Sequence, residues 1–164
     1  MKKGVFIFNL VLASTLLVAA SNSNKNTLFT SIQKTDSLET AIEAPRFTFI
    51  ANIVSPTRGQ VRNLTSNYDL KVTKDTIIAY LPFFGRAYTA PLSSEEAGIM
   101  FTSTQFSYTK KQTKHGGWLI TIKTKDTKSR FELYLSISKN GYASLNVVSI
   151  DRESITFMGE IKQP

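Results

Sequence analysis

The sequence has no cysteine, a single histidine and a single tryptophan among its 164 residues. The absence of cysteine excludes disulfides, thiolate metal sites and a cysteine nucleophile, so the core must hold the fold together without cross-links. The one histidine, His115, stands beside two glycines in a polar turn. There it lacks both the further ligands of a metal site and the rigid partners of a catalytic triad. We therefore expect no metal, no cofactor and no histidine-based catalysis.

Acidic residues offer the remaining route to catalysis, and their placement argues against it. Glu95 and Glu96 are adjacent in a loop, where neighbours in sequence do not converge on one site. The other candidates fall at strand ends or at outward positions, as solvated charges do. They are Asp69, Asp75, Glu132, Asp151 and Glu153. No glycine-rich loop of the phosphate-binding kind is present. The sequence therefore predicts a protein that is not an enzyme.

The N-terminus carries the pattern of a secretory signal peptide. Lys2 and Lys3 precede an apolar run over residues 5–20, which is short for a membrane span and ends in small residues. We expect cleavage after Ala20, a flexible polar leader over 21–35, and a single antiparallel β domain over 36–164. The protein is thus expected to be exported to the periplasm or the cell exterior, with no transmembrane segment after cleavage.

Local patterns predict one short helix followed by strands. Asp36 and Glu39 form a capping box for a helix over 37–44, which Pro45 ends. From Arg46 onward, apolar residues recur at every second position, the spacing of half-buried strands. The residues predicted to face inward include Phe47, Phe49, Ala51 and Ile53 in the first strand, Trp118, Ile120 and Ile122 in a later one, and Phe131, Leu133, Leu135, Ile137, Ala143, Leu145, Val147, Ile155, Phe157 and Ile161 in the last three.

Short reversals join these strands. Lys74 and Asp75 turn one strand into the next, and residues 56–67 are predicted to form a loop. Asn140 and Gly141 predict a type I′ hairpin turn, because both residues accept positive φ. About nine short strands without alternating helices predict an all-β fold. We expect mainly an antiparallel up-and-down barrel or sandwich, with a short N-terminal helix.

The segment from Leu81 to Tyr88 combines aromatic residues with a proline, a glycine and an arginine. Pro82 lacks a backbone donor and should end a strand, while Gly85 allows positive φ or the close approach of another backbone. One interpretation is that the rings close one end of the core, as aromatic residues usually do. The other is a mouth in which an apolar or aromatic ligand stacks beneath a cation. The residues predicted for this ligand site are Phe83, Phe84, Arg86, Tyr88 and Trp118.

This segment and several later motifs resemble a known family. The motifs are Ala90-Pro91, Gly98-Ile99-Met100-Phe101-Thr102-Ser103, Gly117-Trp118, Asn140-Gly141-Tyr142-Ala143, Ser149-Ile150-Asp151-Arg152 and Ser154-Ile155-Thr156-Phe157-Met158-Gly159. Together they resemble the domain-of-unknown-function family numbered 4251, over residues 47–161. The resemblance implies a secreted or lipid-anchored protein of the Bacteroides group, and it implies no activity. Many members carry a lipid-modified cysteine after the signal peptide, so anchoring by that route is not expected in this cysteine-free sequence.

Basic residues are concentrated in one hairpin and the turn after it. Between residues 102 and 130 lie seven cations and one carboxylate, whereas the rest of the chain after residue 20 is balanced. The cations are Lys110, Lys111, Lys114, Lys123, Lys125, Lys128 and Arg130. They form either a patch for an anionic partner or a charged edge that keeps a strand from pairing with other chains. The low arginine content and the expected export argue against nucleic acid as a partner.

Two functions are compatible with these features. The first is an exported, non-catalytic binding module for an apolar or glycan-like ligand of unknown identity, held by the aromatic residues of the 81–88 segment. The alternative is a structural or interaction protein of the cell envelope that docks on an anionic surface or partner through the basic hairpin.

Overall fold

The computed structural model describes residues 38–89 and 97–163. The predicted signal peptide (1–20) and leader (21–35), the capping residue Asp36 and the acidic pair Glu95 and Glu96 lie outside the described residues. The two described ranges include the whole predicted β domain apart from residues 36–37, 90–96 and 164.

One short helix precedes nine strands. The helix, α1, spans residues 38–43. The strands are β1 (Phe47–Pro56), β2 (Arg62–Val72), β3 (Ile77–Leu81), β4 (Ile99–Ser103), β5 (Phe106–Gln112), β6 (Trp118–Thr124), β7 (Glu132–Ile137), β8 (Tyr142–Val148) and β9 (Ile155–Lys162). They form a single sheet in the order β4-β3-β2-β1-β9-β8-β7-β6-β5, antiparallel throughout, which curls into a nearly closed barrel. The prediction of an all-β, mainly antiparallel fold with a short helix is confirmed.

The interior of the barrel is filled by the side chains that alternate inward along each strand. In β7, for example, Leu133, Leu135 and Ile137 are buried, while Tyr134 and Ser136 between them are exposed. Leu38 and Ile42 of α1 are buried in the same cluster, so the helix contributes to the core. Burial of a side chain of this size stabilises the fold by roughly 1.5–3 kcal/mol. The period-two pattern of the sequence therefore identifies most of the core correctly.

A bulge in β1 overturns one inward prediction. Ala51 pairs with Gly159 and Ile53 pairs with Met158, so Asn52 is an extra residue with no partner of its own in this ladder. The extra residue shifts the alternation by one position. As a result Val54 is buried, whereas Ile53, which was predicted to face inward, is only partly buried.

The predicted loop over 56–67 is wrong in its second half. Residues 62–67 belong to β2, which begins at Arg62 and pairs with Val54 and Ile53 of β1 through Arg62 and Asn63. Apart from the partly buried Leu64, this half of the strand is exposed and polar, so no alternation marks it in the sequence. Its extended form depends on the ladder with β1.

Two predicted reversals have different outcomes. The turn at Lys74 and Asp75 is confirmed: the Thr73 N–H donates to the Thr76 carbonyl over 2.9 Å, between β2 and β3. The type I′ turn at Asn140 and Gly141 is wrong, because in the described chain Asn140 is not among the residues with positive φ. Gly141 alone adopts it, at +85°, after a turn whose central residues are Lys139 and Asn140.

Side chains join β4 and the turn after it to the connection between β6 and β7. Within the described residues no ladder connects β4 to β5. Instead, the rings of Phe101 and Phe131 stack with centroids 4.5 Å apart. The Asp126 carboxylate accepts hydrogen bonds from the Ser103 hydroxyl and from the Thr104 N–H at 2.8 Å. The Ser103 bond, and after it the Thr104 bond, lowers the pKa of Asp126 to about 2. This seam closes the barrel without strand pairing.

Helix α1 packs against β5, near the seam. The Tyr108 hydroxyl donates to the Ile42 carbonyl over 3.2 Å, and Lys110 forms an ion pair with Glu43. Burial, with a smaller contribution from the Glu43 charge, raises the pKa of Tyr108 well above its usual range. No helix in the described ranges has the length and apolar character needed to span a bilayer.

Two ends of the barrel are named by their connections. The loop end comprises residues 57–61, 82–89, 125–130 and 149–154. The tip end comprises the hairpin turns 113–117 and 138–141. Strand β6 runs between them, with Trp118 next to the tip end and Thr124 next to the loop end.

Candidate functional site

The 81–88 segment leaves the sheet at the loop end and pairs with the segment that follows β8. Strand β3 ends at Leu81, as Pro82 predicts. Ala87 then forms an isolated bridge with Arg152. The Tyr88 N–H donates to the Asp151 carbonyl over 2.8 Å, and the Glu153 N–H donates to the Arg86 carbonyl over 3.0 Å. Backbone hydrogen bonds therefore hold the second half of this segment in place.

The aromatic residues of the segment have different environments. Phe83 is partly buried, and its ring lies 5.1 Å from the guanidinium carbon of Arg152. Gly85 packs on that ring, because a Cβ at this position would lie 2.7 Å from Phe83 Cζ. The close neighbour at this glycine is thus a side chain, not the backbone that the sequence suggested. Phe84 remains 38% exposed and Tyr88 64% exposed.

Arg152 and Asp151 brace the loop end from inside. Arg152 is 8% exposed, and its Nη1 donates to the Gly98 carbonyl over 2.6 Å. Its Nη2 donates to the Asp151 carboxylate over 3.0 Å, and that carboxylate also accepts from the Ser129 and Ser149 hydroxyls. Burial alone would raise the pKa of Asp151, but these hydrogen bonds and the Arg152 charge outweigh it and lower the pKa to about 2. Asp151 is therefore ionised at neutral pH and positions the arginine.

The prediction of solvated carboxylates is wrong for two residues of the 149–154 segment, Asp151 and Glu153. Asp151 is bonded as described, and Glu153 is mostly buried. The Glu153 carboxylate lies 3.6 Å from Arg58 Nε and accepts the Arg86 N–H at 3.4 Å. Sequence reasoning missed the role of Glu153 because its partners Arg58 and Arg86 lie far away along the chain. It missed that of Asp151 because the burial of its neighbour Arg152 is not marked in the sequence. The one available signal was the position of Asp151 and Arg152 within a motif of the family resemblance.

Four of the five residues predicted for the ligand site are brought together, and the fifth is not. Phe83, Phe84, Arg86 and Tyr88 lie in the loop-end segment. Trp118 is 3% exposed in the core and pairs with Gln112 and Ile137 next to the tip end. Six strand positions separate it from the loop end, which is about 20 Å at the usual rise of a strand. Sequence alternation placed Trp118 on the inner face correctly, but it carries no information on which end of the barrel is near.

A different arginine covers the exposed phenylalanine. The guanidinium carbon of Arg62, at the start of β2, lies 5.0 Å from the centroid of the Phe84 ring. Arg86 is exposed and uses its backbone, not its guanidinium, in the hydrogen bonds to Glu153. The pairing of a ring with a cation that the sequence suggested is present, with Arg62 in the role assigned to Arg86. The guanidinium of Arg86 is exposed to solvent on the same segment as Phe84 and Tyr88.

The seven cations of the basic hairpin are distributed over both ends of the barrel. Lys110 is paired with Glu43, and Lys123 Nζ lies 2.9 Å from Glu132. Lys111 and Lys114 are exposed near the tip end. The remaining three, Lys125, Lys128 and Arg130, are exposed at the loop end. The excess charge therefore forms two separate groups.

His115 lies exposed in the turn 113–117, as its sequence context predicts. Among the described residues, no group of three or more histidine, aspartate or glutamate side chains is arranged to hold a metal ion. The loop end presents exposed rings on which a ligand can stack and guanidinium groups that can donate hydrogen bonds.

Comparison with known proteins identifies the family. The chain matches the family model described as "Domain of unknown function (DUF4251)" over residues 30–161. It is similar to the crystal structure, at 1.95 Å resolution, of a DUF4251 family protein from Bacteroides eggerthii DSM 20697. The two share 16% identity with a TM-score of 0.59, and the alignment covers 80% of this chain and 88% of that chain, a likeness that shows the fold. No curated protein matches the sequence. Because the family model spans most of its length, this chain belongs to the DUF4251 family.

Proposed function

We propose that this protein is an exported, non-catalytic binding module whose loop end binds an apolar or glycan-like ligand. The observation that carries the proposal is the exposure of Phe84 and Tyr88 on a segment held by backbone hydrogen bonds to Asp151 and Glu153. Exposed rings on a fixed backbone lose little conformational entropy when a ligand stacks on them. Most exposed apolar residues of a protein need no explanation, but rings combined with exposed donors are typical of recognition sites.

The surrounding donors favour a ligand with both apolar and polar faces. Arg62 lies over the Phe84 ring. Arg86, two residues after Phe84 in the sequence, is exposed. A sugar offers C–H groups to an aromatic face and hydroxyls to a guanidinium, and arginine presents several donors in a fixed plane. An oligosaccharide therefore matches this surface better than a purely apolar molecule.

Binding can be tested on the mature chain with a panel of neutral and acidic oligosaccharides. We expect Tyr88→Ala and Phe84→Ala each to weaken binding by about tenfold, on the order of the 1–3 kcal/mol that a stacked ring contributes. Tyr142→Ala is the matched control, because Tyr142 is 69% exposed at the start of β8, next to the tip end. Equal losses for Tyr88 and Tyr142 would remove the loop end as the binding surface.

Export is a separate part of the proposal. The basic residues and apolar run over 2–20 support it. We expect fractionation of native cells to recover the protein outside the cytoplasm, with Ser21 as its first residue. A cytoplasmic protein that retains Met1 would overturn this part and leave the binding proposal standing.

The second candidate function, docking on an anionic envelope surface, has one observation in its favour. The turn 125–130 at the loop end carries three exposed cations. The Ile150 N–H donates to the Ser129 carbonyl over 3.3 Å, which joins this turn to the 149–154 segment of the same end. Retention on anionic vesicles across a salt series tests it. We expect glutamine at Lys125, Lys128 and Arg130 to reduce retention more than glutamine at Lys111 and Lys114 does. Retention on the vesicles that does not fall as salt is added would exclude this function.

A further inference from the structure

The two turns of the tip end have the same construction. The sequences are Thr113-Lys114-His115-Gly116 and Ser138-Lys139-Asn140-Gly141. In each, the glycine N–H donates to the carbonyl of the first residue, over 2.9 and 3.0 Å respectively, and the glycine adopts positive φ, at +74° and +85°. The N–H of the first residue also donates a hydrogen bond over 2.8 Å in each turn. Thr113 donates to the Gly117 carbonyl, and Ser138 donates to the Tyr142 carbonyl. This is the three-residue hairpin loop, a type I turn followed by a left-handed residue.

Glycines allow these two turns to lie against each other. A Cβ on Gly117 would lie 2.5 Å from the Ile137 carbonyl oxygen, so only glycine permits this contact. Lys139 extends across the first turn, since a Cβ on Gly116 would lie 2.8 Å from Lys139 Nζ. The ammonium of the second turn thus lies over the backbone of the first.

A cleft of about 420 Å³ lies between the turns. Its lining is Thr113, His115, Gly117, Ser136, Ile137, Ser138, Lys139 and Asn140. These residues supply hydroxyl, amide, imidazole and ammonium groups, and within the part of the chain that the structure describes none of the lining residues is acidic. Lys139 forms no ion pair among the described residues, unlike Lys110 and Lys123. The cleft therefore presents a positive charge and several donors without an anion to balance them.

We propose that this cleft binds a small oxyanion, a carboxylate, sulfate or phosphate group carried on a ligand of about monosaccharide size. Oxyanions accept several hydrogen bonds at once, and charge-assisted bonds from an ammonium are the stronger kind. Pockets of about 300–1,000 Å³ are typical of small-molecule sites. Lys139 supplies the charge, and Ser136 and Asn140 supply neutral donors, whereas the Ser138 hydroxyl already donates to the Tyr142 carbonyl. The site is independent of the loop end, which lies at the other end of β6.

The test uses amide NMR titration of the mature chain, residues 21–164, with sodium phosphate, sulfate and glucuronate at constant ionic strength set with chloride. We expect saturable shifts confined to the amides of 113–117 and 136–141, and little response to glucose. Lys139→Gln should weaken binding by about tenfold, as expected for loss of a charge-assisted bond. Lys74→Gln, which removes an exposed turn lysine outside the cleft, should change it by less than about twofold, since it alters only the long-range field. Unperturbed spectra of the free variants establish that each is folded.

The outcomes separate clearly. Saturation by glucuronate alone identifies a carboxylated sugar as the ligand class, and saturation by phosphate or sulfate alone identifies that group instead. Shifts that spread over lysines at both ends, or equal weakening by Lys74→Gln and Lys139→Gln, would show nonspecific ion association and overturn the proposal. Binding of glucose as strongly as glucuronate would overturn it as well.

Discussion

The loop end and the tip end of this barrel are closed in different ways. At the tip end, the backbone hydrogen bonds of each turn are formed within five residues. The N–H of a glycine with positive φ donates to the carbonyl of Thr113 in one turn and of Ser138 in the other. At the loop end, residues 82–89 are held by Asp151, Arg152 and Glu153, and these in turn by Gly98 and Ser129. Closure at one end is local in sequence, and at the other it depends on a buried charge network. The two ends should therefore respond very differently to substitution.

The largest expected effect is at the loop end. Arg152→Met removes the guanidinium that joins Gly98, Asp151 and Phe83, and leaves the Asp151 carboxylate without its cation. Breaking a buried charged pair in this way costs about 3–5 kcal/mol in the free energy of unfolding. Urea denaturation provides the measurement. Arg58→Met is the control, since its ion pair with Glu153 is exposed on the arginine side and should contribute less than about 1 kcal/mol. If both variants lose the same stability, the loop end has no such network.

A pH dependence should follow from the same network, as the next effect in size. The pKa of Asp151 is about 2 in the folded chain, below its ordinary value near 3.8. A lowered pKa means that the stabilisation is present above the unfolded value and is lost as the pH falls from about 4 toward 2. We expect this acid loss to be smaller in Asp151→Asn than in the parent. Asp75→Asn, which removes a carboxylate in the β2–β3 turn outside this network, is the matched control.

A smaller effect is expected at the tip end. Gly141→Ala places a Cβ on a residue with φ of +85°, which costs about 1–2 kcal/mol because side chains disfavour the left-handed region. The loss should appear as a lower denaturation midpoint with an unchanged denaturant slope, because the defect stays within one turn. A loss as large as that of Arg152→Met would contradict the local closure of this end.

The smallest expected effect is a stabilisation. It concerns a turn of the loop end that is built like the turns of the tip end. A third turn, Thr127-Lys128-Ser129-Arg130, is closed by the Arg130 N–H donating to the Thr127 carbonyl over 3.2 Å. Here arginine, not glycine, has positive φ, at +45°. Arg130→Gly should therefore stabilise the protein, by less than about 1 kcal/mol because glycine also gains freedom in the unfolded chain. Thermal unfolding would reveal destabilisation instead if the Arg130 side chain makes a compensating contact.

The same contrast explains which features the sequence could predict. Alternation in β6, β7 and β8 identified the inward residues, and Pro82 marked the end of β3, because these depend on neighbours in sequence. The bulge at Asn52 and the polar half of β2 depend on how β1 pairs with β9 and with β2, which no residue pattern marks. Nor does a residue pattern mark the role of Arg152, whose partners lie 54 residues away at Gly98 and across the Phe83 ring. The candidate site was found as a segment, but not its bracing.

Turn chemistry shows a finer limit. Asn140 and Gly141 mark a reversal correctly, yet the pair fits both a two-residue and a three-residue loop. In the structure the three-residue form is accompanied by two bonds from Ser138, whose N–H and hydroxyl both donate to the Tyr142 carbonyl. The Asn-Gly pair alone does not distinguish the two loops.

The seam between β4 and β5 has a consequence for how this fold can diversify. A barrel whose strands are all joined by backbone ladders can change its diameter only if it gains or loses a strand or if the register between two strands shifts. Here the gap between the edge strands is flanked by two stacked rings and a carboxylate, Phe101, Phe131 and Asp126, which join β4 to the connection between β6 and β7. Because no ladder among the described strands holds these edges together, substitutions at those three residues can shift one edge relative to the other without breaking any strand pairing.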